Sequence, residues 1–399
     1  MNSDAIKLTS YFGERRRVAG PVPAGSVFAA DALLDLYGSE QVATSVLLRG
    51  AEGFGAKRHP RTDMSLTLSE DLPLIAVAVD GRERIEPLVE RTAEITGTGL
   101  VSLERARLLR DEITTRDIEA VTPHYGAHEE TKLTVYLGRQ ERAGRMPAFM
   151  AVCDLLHRRG LAGATALLGV DGTAHGRRQR AAFFSRNAGT PMMVIAVGAS
   201  ERILRVLPEL GGLLRRPLLT LEQVRICKRD GELLCRPSVL PAAADSGMPV
   251  WHKLMVYTSE SALHNGRPVH REIIRRLRRA EISGAETSGA GISGAGISGA
   301  TTQRGIWGFH GDHRPHGDRL LQLGRRVPAV TIVIDSPERI AAAFTIIDQL
   351  TTETGLVTSE WVPAIRPGGS ASDPHPPHRG WPPVLADPPR NRKRGHGVS

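Results

Sequence analysis

Short apolar runs recur along the chain in a fixed order. KLTSY at Lys7–Tyr11 returns as KLTVY at Lys132–Tyr136 and as KLMVY at Lys253–Tyr257. Each mixes apolar with β-branched or aromatic residues, which reads as a strand. A helical pattern lies downstream. It is clearest in AFMAVCDLLHRRG, where Phe149, Val152, Leu155 and Leu156 share one face and Gly160 supplies the stop. A second strand then ends in paired glycines: Gly50/Gly53, Gly169/Gly172 and Gly305/Gly308. A polar loop follows, and after it a strongly apolar third strand: PLIAVAVD, PMMVIAVG and PAVTIVID. Glu-Arg-Ile, at Glu83, Glu201 and Glu338, opens a second helix, and LVSLE, LLTLE or LVTSE closes the unit.

The chain is thus written three times. Strand–helix–strand–strand–helix–strand predicts an antiparallel sheet with both helices on one face, the ferredoxin-like arrangement. An apolar third strand without alternation predicts burial on both faces. The unit's own helices would cover one face and the other two units the second. The expectation is an α+β protein of three tandem ferredoxin-like (βαββαβ) modules, at residues 5–110, 130–228 and 251–365. They would pack about a pseudo-threefold axis as a single-chain, monomeric pseudo-trimer.

The connectors, about 110–130 and 229–250, read as surface tethers, and the Pro-rich, basic tail at 366–399 as disordered. The stretch AEISGAETSGAGISGAGISGATTQRG carries a five-residue beat. From Lys132 to Gly169 is 37 residues and from Lys253 to Gly305 is 52, an excess of three such units. LAGAT at Leu161–Thr165 matches ISGAT at Ile297–Thr301. Residues 282–300 are therefore an expansion of one helix-to-strand turn, exposed and dispensable, and not a domain linker.

Composition narrows the class. Hydrophobic residues make up 41% of the 399, enough for real cores, while aromatics at 4% leave those cores to Leu, Val, Ile and Ala. The net charge is +9, of which +4 sits in the tail, so the folded part is only mildly basic. Three cysteines without C-x-x-C spacing argue against a zinc site or disulfide framework, and Cys153 on an apolar helix face reads as a buried, inert thiol. The N-terminus lacks a signal-peptide core and no apolar run reaches a membrane span, so a soluble, cytoplasmic protein is expected.

The glycine-paired strand running into a basic loop, LLRGAEGFGAKRHPR, resembles the second strand and mobile T-loop of PII signalling proteins. The set KLxxYxGE/R, RRGLAGATALLGV, RGIWGFHGDHRPHGDRLLQL and xPERI resembles the PII-like family called domain of unknown function 190. The likeness spans all three blocks. It implies a regulatory module that binds a small anion, an adenine nucleotide among the candidates, in clefts between units. Its loop would report occupancy to a partner such as a membrane transporter or a fluoride channel. PII proteins also hold phosphate through a lysine between the second helix and last strand. TGTGLV, LRRPLL and TETGLV lack it, and Arg215 and Arg216 offer cations only in the second unit.

The loop residues carry a physical case of their own. Gly50, Gly53 and Gly55 around Phe54 permit close backbone approach and a concavity of N–H groups suited to an anion. Arg49, Lys57, Arg58 and Arg61 would neutralise it, and Arg304, Gly305, Gly308 and Phe309 repeat the pattern in the third unit. The competing reading is a strand bulge beside a solvated basic loop. His310, Asp312, His313 and His316 form a second group, either a divalent-metal site or a polar loop titrating near neutral pH. No G-x-S-x-G, H-E-x-x-H or catalytic carboxylate pair appears, so the chain is not expected to be an enzyme. The alternatives are a nucleic-acid-associated basic protein, for which RNRKRGHG in the tail is the motive, and a non-catalytic scaffold.

Overall fold

The computed structural model describes residues 4–366 except 20–24, 56–60, 63–70, 120, 122–126, 175–176, 179–189, 238–248, 287–296, 312–313 and 318–326. The tail from 367 onward, Lys57, Arg58, Asp312 and His313 lie outside the described residues.

The first repeat contains β1 (Asp4–Gly13), α1 (Ala29–Ser39), β2 (Thr44–Arg49), β3 (Glu52–Phe54), β4 (Pro73–Gly81), α2 (Val89–Thr96) and β5 (Leu100–Arg110). The second contains β6 (Glu129–Gly138), α3 (Ala148–Arg158), β7 (Gly163–Ala174), β8 (Pro191–Gly198), α4 (Ser200–Leu213) and β9 (Leu218–Arg229). The third contains β10 (Val250–Ser259), α5 (Val269–Glu286), β11 (Ala300–Arg304), β12 (Trp307–His310), β13 (Pro328–Asp335), α6 (Pro337–Leu350) and β14 (Leu356–Ile365). Within each repeat all pairs are antiparallel and the spatial order is second, third, first, last: β2–β4–β1–β5, β7–β8–β6–β9 and β11–β13–β10–β14.

The apolar third strands serve two cores at once, as a period of two requires. Along β4, Leu74, Ala76 and Ala78 pack with Leu33, Leu34, Val89 and Ala93 of the two helices. The intervening Ile75, Val77 and Val79 point the other way, into a cluster shared with Met193 and Ile195 of β8 and with Met255 and Val330 of the third repeat. Each repeat so keeps its own sheet–helix core, and a central core belongs to all three. Full burial of each Val, Ile or Leu stabilises by about 1.5–3 kcal/mol, so the repeats depend on one another.

Backbone pairing continues from repeat to repeat and closes on itself. The end of β5 pairs with the start of β9 (Arg110↔Leu218), the end of β9 with the start of β14 (Arg229↔Leu356), and the end of β14 with the start of β5 (Ile365↔Val101). The second strands do the same through β3·β11, β12·β7 and the end of β7 against β2.

Two details depart from expectation. Helix α5 runs to Glu286, so the start of the Gly/Ser/Ala stretch is helical and not part of a turn. The turn ends in register all the same, because Gly299 sits against Phe54 O as Gly163 sits against Phe309 O. A small hairpin also follows each first strand, at Arg17–Ala19/Ser26–Phe28, Arg142–Ala143/Met146–Pro147 and Leu263–His264/Arg267–Pro268.

Candidate functional site

The paired glycines mark where each second strand leaves its own sheet for its neighbour's. Gly50 N–H donates to Pro73 O (2.7 Å), and the next N–H, from Ala51, donates to Thr302 O of the third repeat (2.8 Å). A Cβ on Gly53 would lie 2.5 Å from Ala300 O, one on Gly172 2.1 Å from Ser45 O, and one on Gly308 2.2 Å from Ala164 O. Only glycine admits so close a backbone, which explains the pair without an anion. Gly305 repeats the pattern, donating to Pro328 O (2.7 Å). The flanking arginines are held nearby: Arg49 pairs with Glu14 (2.8 Å) and Arg304 with Glu260 (3.0 Å). Phe54 and Gly55 stand apart from this group, since both line a cleft.

That cleft lies between the first and third repeats and encloses about 310 Å³. From the first repeat come the end of β1 (Tyr11, Phe12), Arg15 and Arg16, and the α2–β5 turn (Thr96–Leu100); from the third come Ala300, Ile334 and Arg366. Its lining combines apolar and aromatic side chains with three guanidinium groups and with the carboxylate of Asp71, which accepts from Arg15 N–H (2.7 Å). Thr96 Oγ1 and Arg16 Nε are buried there without a hydrogen-bond partner. Arg366 lies over the Trp251 ring, 5.3 Å from its centroid. Arg15, Arg16, Thr96 and Arg366 come from distant parts of the chain and belong to no sequence motif.

The corresponding cleft between the second and third repeats encloses only about 40 Å³. His310 sits in it with Nε2 2.7 Å from Asp230 Oδ1 of the second repeat. His316 is engaged within its own loop, Nδ1 lying 2.9 Å from Arg314 O. Among the described members of the histidine group, then, no shared metal-binding geometry forms.

A third feature joins all three repeats. Lys7, Lys132 and Lys253 of the first strands meet Glu104, Glu222 and Glu360 of the last strands in an alternating ring. Its successive contacts are Lys7–Glu222 (3.0 Å), Glu222–Lys132 (2.8 Å), Lys132–Glu360 (2.7 Å), Glu360–Lys253 (3.2 Å), Lys253–Glu104 (2.8 Å) and Glu104–Lys7 (3.4 Å). All six side chains are buried. Burial alone would lower the Lys7 and Lys132 ammonium pKa values, but the surrounding carboxylates raise both above the ordinary lysine range. Burial alone would likewise raise Glu104 and Glu222, and the lysines hold both below the usual carboxylate range. The three glutamates approach within 4.8 Å of one another, yet the ammonium groups already fill the space between them. The signal was present in the sequence: Lys opens each KLxxY and Glu follows each last-strand apolar run. The strand register sets Lys7 opposite Glu104, Lys132 opposite Glu222 and Lys253 opposite Glu360.

Cys153 is buried, as expected, and its apolar surroundings push the thiol far above its ordinary pKa. Among the described residues no helix is long and apolar enough to cross a membrane.

Among solved structures, the aspartate kinase from Synechocystis aligns over 91% of this chain and 52% of its own, at 10% identity and a TM-score of 0.20. A likeness that weak carries no argument. The family match is of another order. DUF190, described as "Uncharacterized ACR", matches residues 5–108, 130–226, 251–296 and 291–364, the last two meeting inside the Gly/Ser/Ala stretch. With all three repeats matched, the chain belongs to the DUF190 family.

Proposed function

We propose that this chain is a PII-like regulatory protein and not an enzyme. In this reading the three repeats are ferredoxin-like modules packed as a single-chain pseudo-trimer, and a cleft between modules senses a small anionic ligand. The observation that carries it is the cleft between the first and third repeats. Its 310 Å³ reaches the lower end of ligand-pocket volumes, about 300 Å³. Its apolar side chains together with Arg15, Arg16 and Arg366 suit a ligand with a flat apolar part and a phosphate, an adenine nucleotide being one such molecule.

The loop after β3 begins at Gly55 on the rim of this cleft. That segment would present the occupancy of the cleft to a partner such as a membrane transporter or channel.

Thermal melting of the full chain against ATP, ADP, cyclic AMP and inorganic phosphate tests this. A binder raises apparent stability by RT ln(1 + [L]/Kd), about 2.7 kcal/mol at a hundredfold excess over Kd. A saturable rise for at least one of these anions is expected. No rise for any of them contradicts the reading.

A further inference from the structure

The three junctions between repeats end differently, and the difference is visible residue by residue. The last strands of the first two repeats run out into Arg110-Asp111 and Arg229-Asp230, whereas the third runs out into Arg366-Pro367. Both aspartates adopt positive φ (65° and 47°), which turns them sharply at the strand end. Asp111 N–H donates to Pro217 O and Asp230 N–H to Gly355 O, both at 2.8 Å. Pro217 and Gly355 each immediately precede the last strand of the following repeat.

Their carboxylates then occupy the turn between second helix and last strand. Asp111 Oδ1 accepts from Arg216 Nε (3.2 Å) and Nη2 (3.0 Å). Asp230 Oδ1 accepts from Gly355 N–H (3.3 Å) and lies 2.7 Å from His310 Nε2. A guanidinium, a backbone N–H and an imidazole are the groups that would receive a bound anion. Each of these two junctions holds a carboxylate of the chain itself in that position.

At the remaining junction the same register brings Ile365 beside Val101, and Arg366 shares a cleft with Leu100 and the Thr96–Gly99 turn. The acid is replaced in sequence by Pro367. Where the third repeat has His310, the first has Gly55, and a Cβ there would meet nothing within 4 Å. This is the cleft of about 310 Å³, against 40 Å³ for its counterpart, and it is where the buried Thr96 Oγ1 has no partner.

We propose that the chain binds one organic phosphate per molecule, in the cleft between the first and third repeats, and that Asp111 and Asp230 engage the anion-receiving groups of the other two junctions in its place. The proposal rests on the ligand-sensing reading above and makes it asymmetric. The fusion of three repeats lets the connectors carry carboxylates that identical separate subunits would have to carry at all junctions or at none.

The test is isothermal titration of the full chain with ATP and, separately, with inorganic pyrophosphate, melting curves confirming that each variant is folded. The wild type is expected to take up one equivalent of ATP or of pyrophosphate, and the better probe tells an organic phosphate from phosphate groups alone. Arg366→Glu is expected to weaken that binding at least tenfold. The double variant Asp111→Ala/Asp230→Ala is expected to exceed one equivalent of pyrophosphate. Three equivalents in the wild type overturn the asymmetry while sparing the sensing reading. So does a single equivalent that Arg366→Glu leaves intact and Asp230→Ala abolishes. No uptake of either probe by the wild type or by the double variant overturns both.

Discussion

Replacing Lys132 by methionine is the most informative single change, because it removes one charge from the closed ring and keeps an unbranched stem. Lys132 lies 2.8 Å from Glu222 and 2.7 Å from Glu360, and its side chain is fully buried. At an effective dielectric constant of about 20, each such contact is worth roughly 6 kcal/mol of Coulomb attraction. Taking each ion out of water costs several kcal/mol, so the intact ring is nearly balanced. The variant upsets that balance: three buried carboxylates face two ammonium groups. Loss of one partner from a buried ion pair costs about 3–5 kcal/mol, and that is the expected destabilisation at pH 7. Urea unfolding of the full chain measures it. Adding Glu222→Gln restores two positive and two negative charges and should recover much of the loss, a coupling of about 1–3 kcal/mol. The deficit of Lys132→Met should also shrink from pH 7 to pH 5, since the uncompensated carboxylate then takes up a proton that it binds more tightly folded than unfolded. A loss under about 1 kcal/mol, or a double variant whose losses simply add, would refute the claim that the ring acts as one unit.

Other outcomes follow from the same geometry. Glu104 and Glu222 titrate below the ordinary carboxylate range, so the stability they lend is present above about pH 4 and is lost as pH falls through their folded pKa values. Lys7 and Lys132 titrate above the ordinary lysine range, so theirs is present below about pH 10 and is lost as pH rises through their folded values. His252 and His270 are buried with pKa values lowered to about 4, so unfolding takes up protons between pH 6.5 and 4. Melting temperature should therefore begin to fall within that window, and His252→Phe with His270→Leu should flatten it. Gly308→Val drives a side chain against Ala164 O and should cost about 1–3 kcal/mol in urea unfolding, with loss of the β12–β7 pairing. Removal of residues 287–296 should leave the melting temperature within a few degrees of wild type, because each doubling of loop length costs only about 0.6 kcal/mol.

Much of the architecture was legible because the repeats sample one pattern three times. The apolar third strands announced burial on both faces, and β4 shows how: alternate residues serve alternate cores. LAGAT and ISGAT enter their second strands in the same register, although the start of the Gly/Ser/Ala stretch continues α5 as helix. Pairing across repeats was not legible, since nothing local distinguishes a glycine that permits a bulge from one that lets a strand cross to its neighbour. The ring was overlooked for a related reason. A lysine and a glutamate on separate strands look like solvent-facing charges until closure brings three of each together. The cleft residues were harder still, because Arg16, Thr96 and Arg366 come together only when the third repeat's last strand pairs with the first's.

The central claim, one anion-sensing cleft between the first and third repeats, is met most directly by hydrogen exchange of the full chain with and without saturating ATP. Protection is expected in Tyr11–Arg16, Thr96–Leu100 and Ser298–Thr301, and not in the matching segments around Pro217 and Gly355. Equal protection in all three repeats, or none near Thr96 with ATP bound, would contradict it.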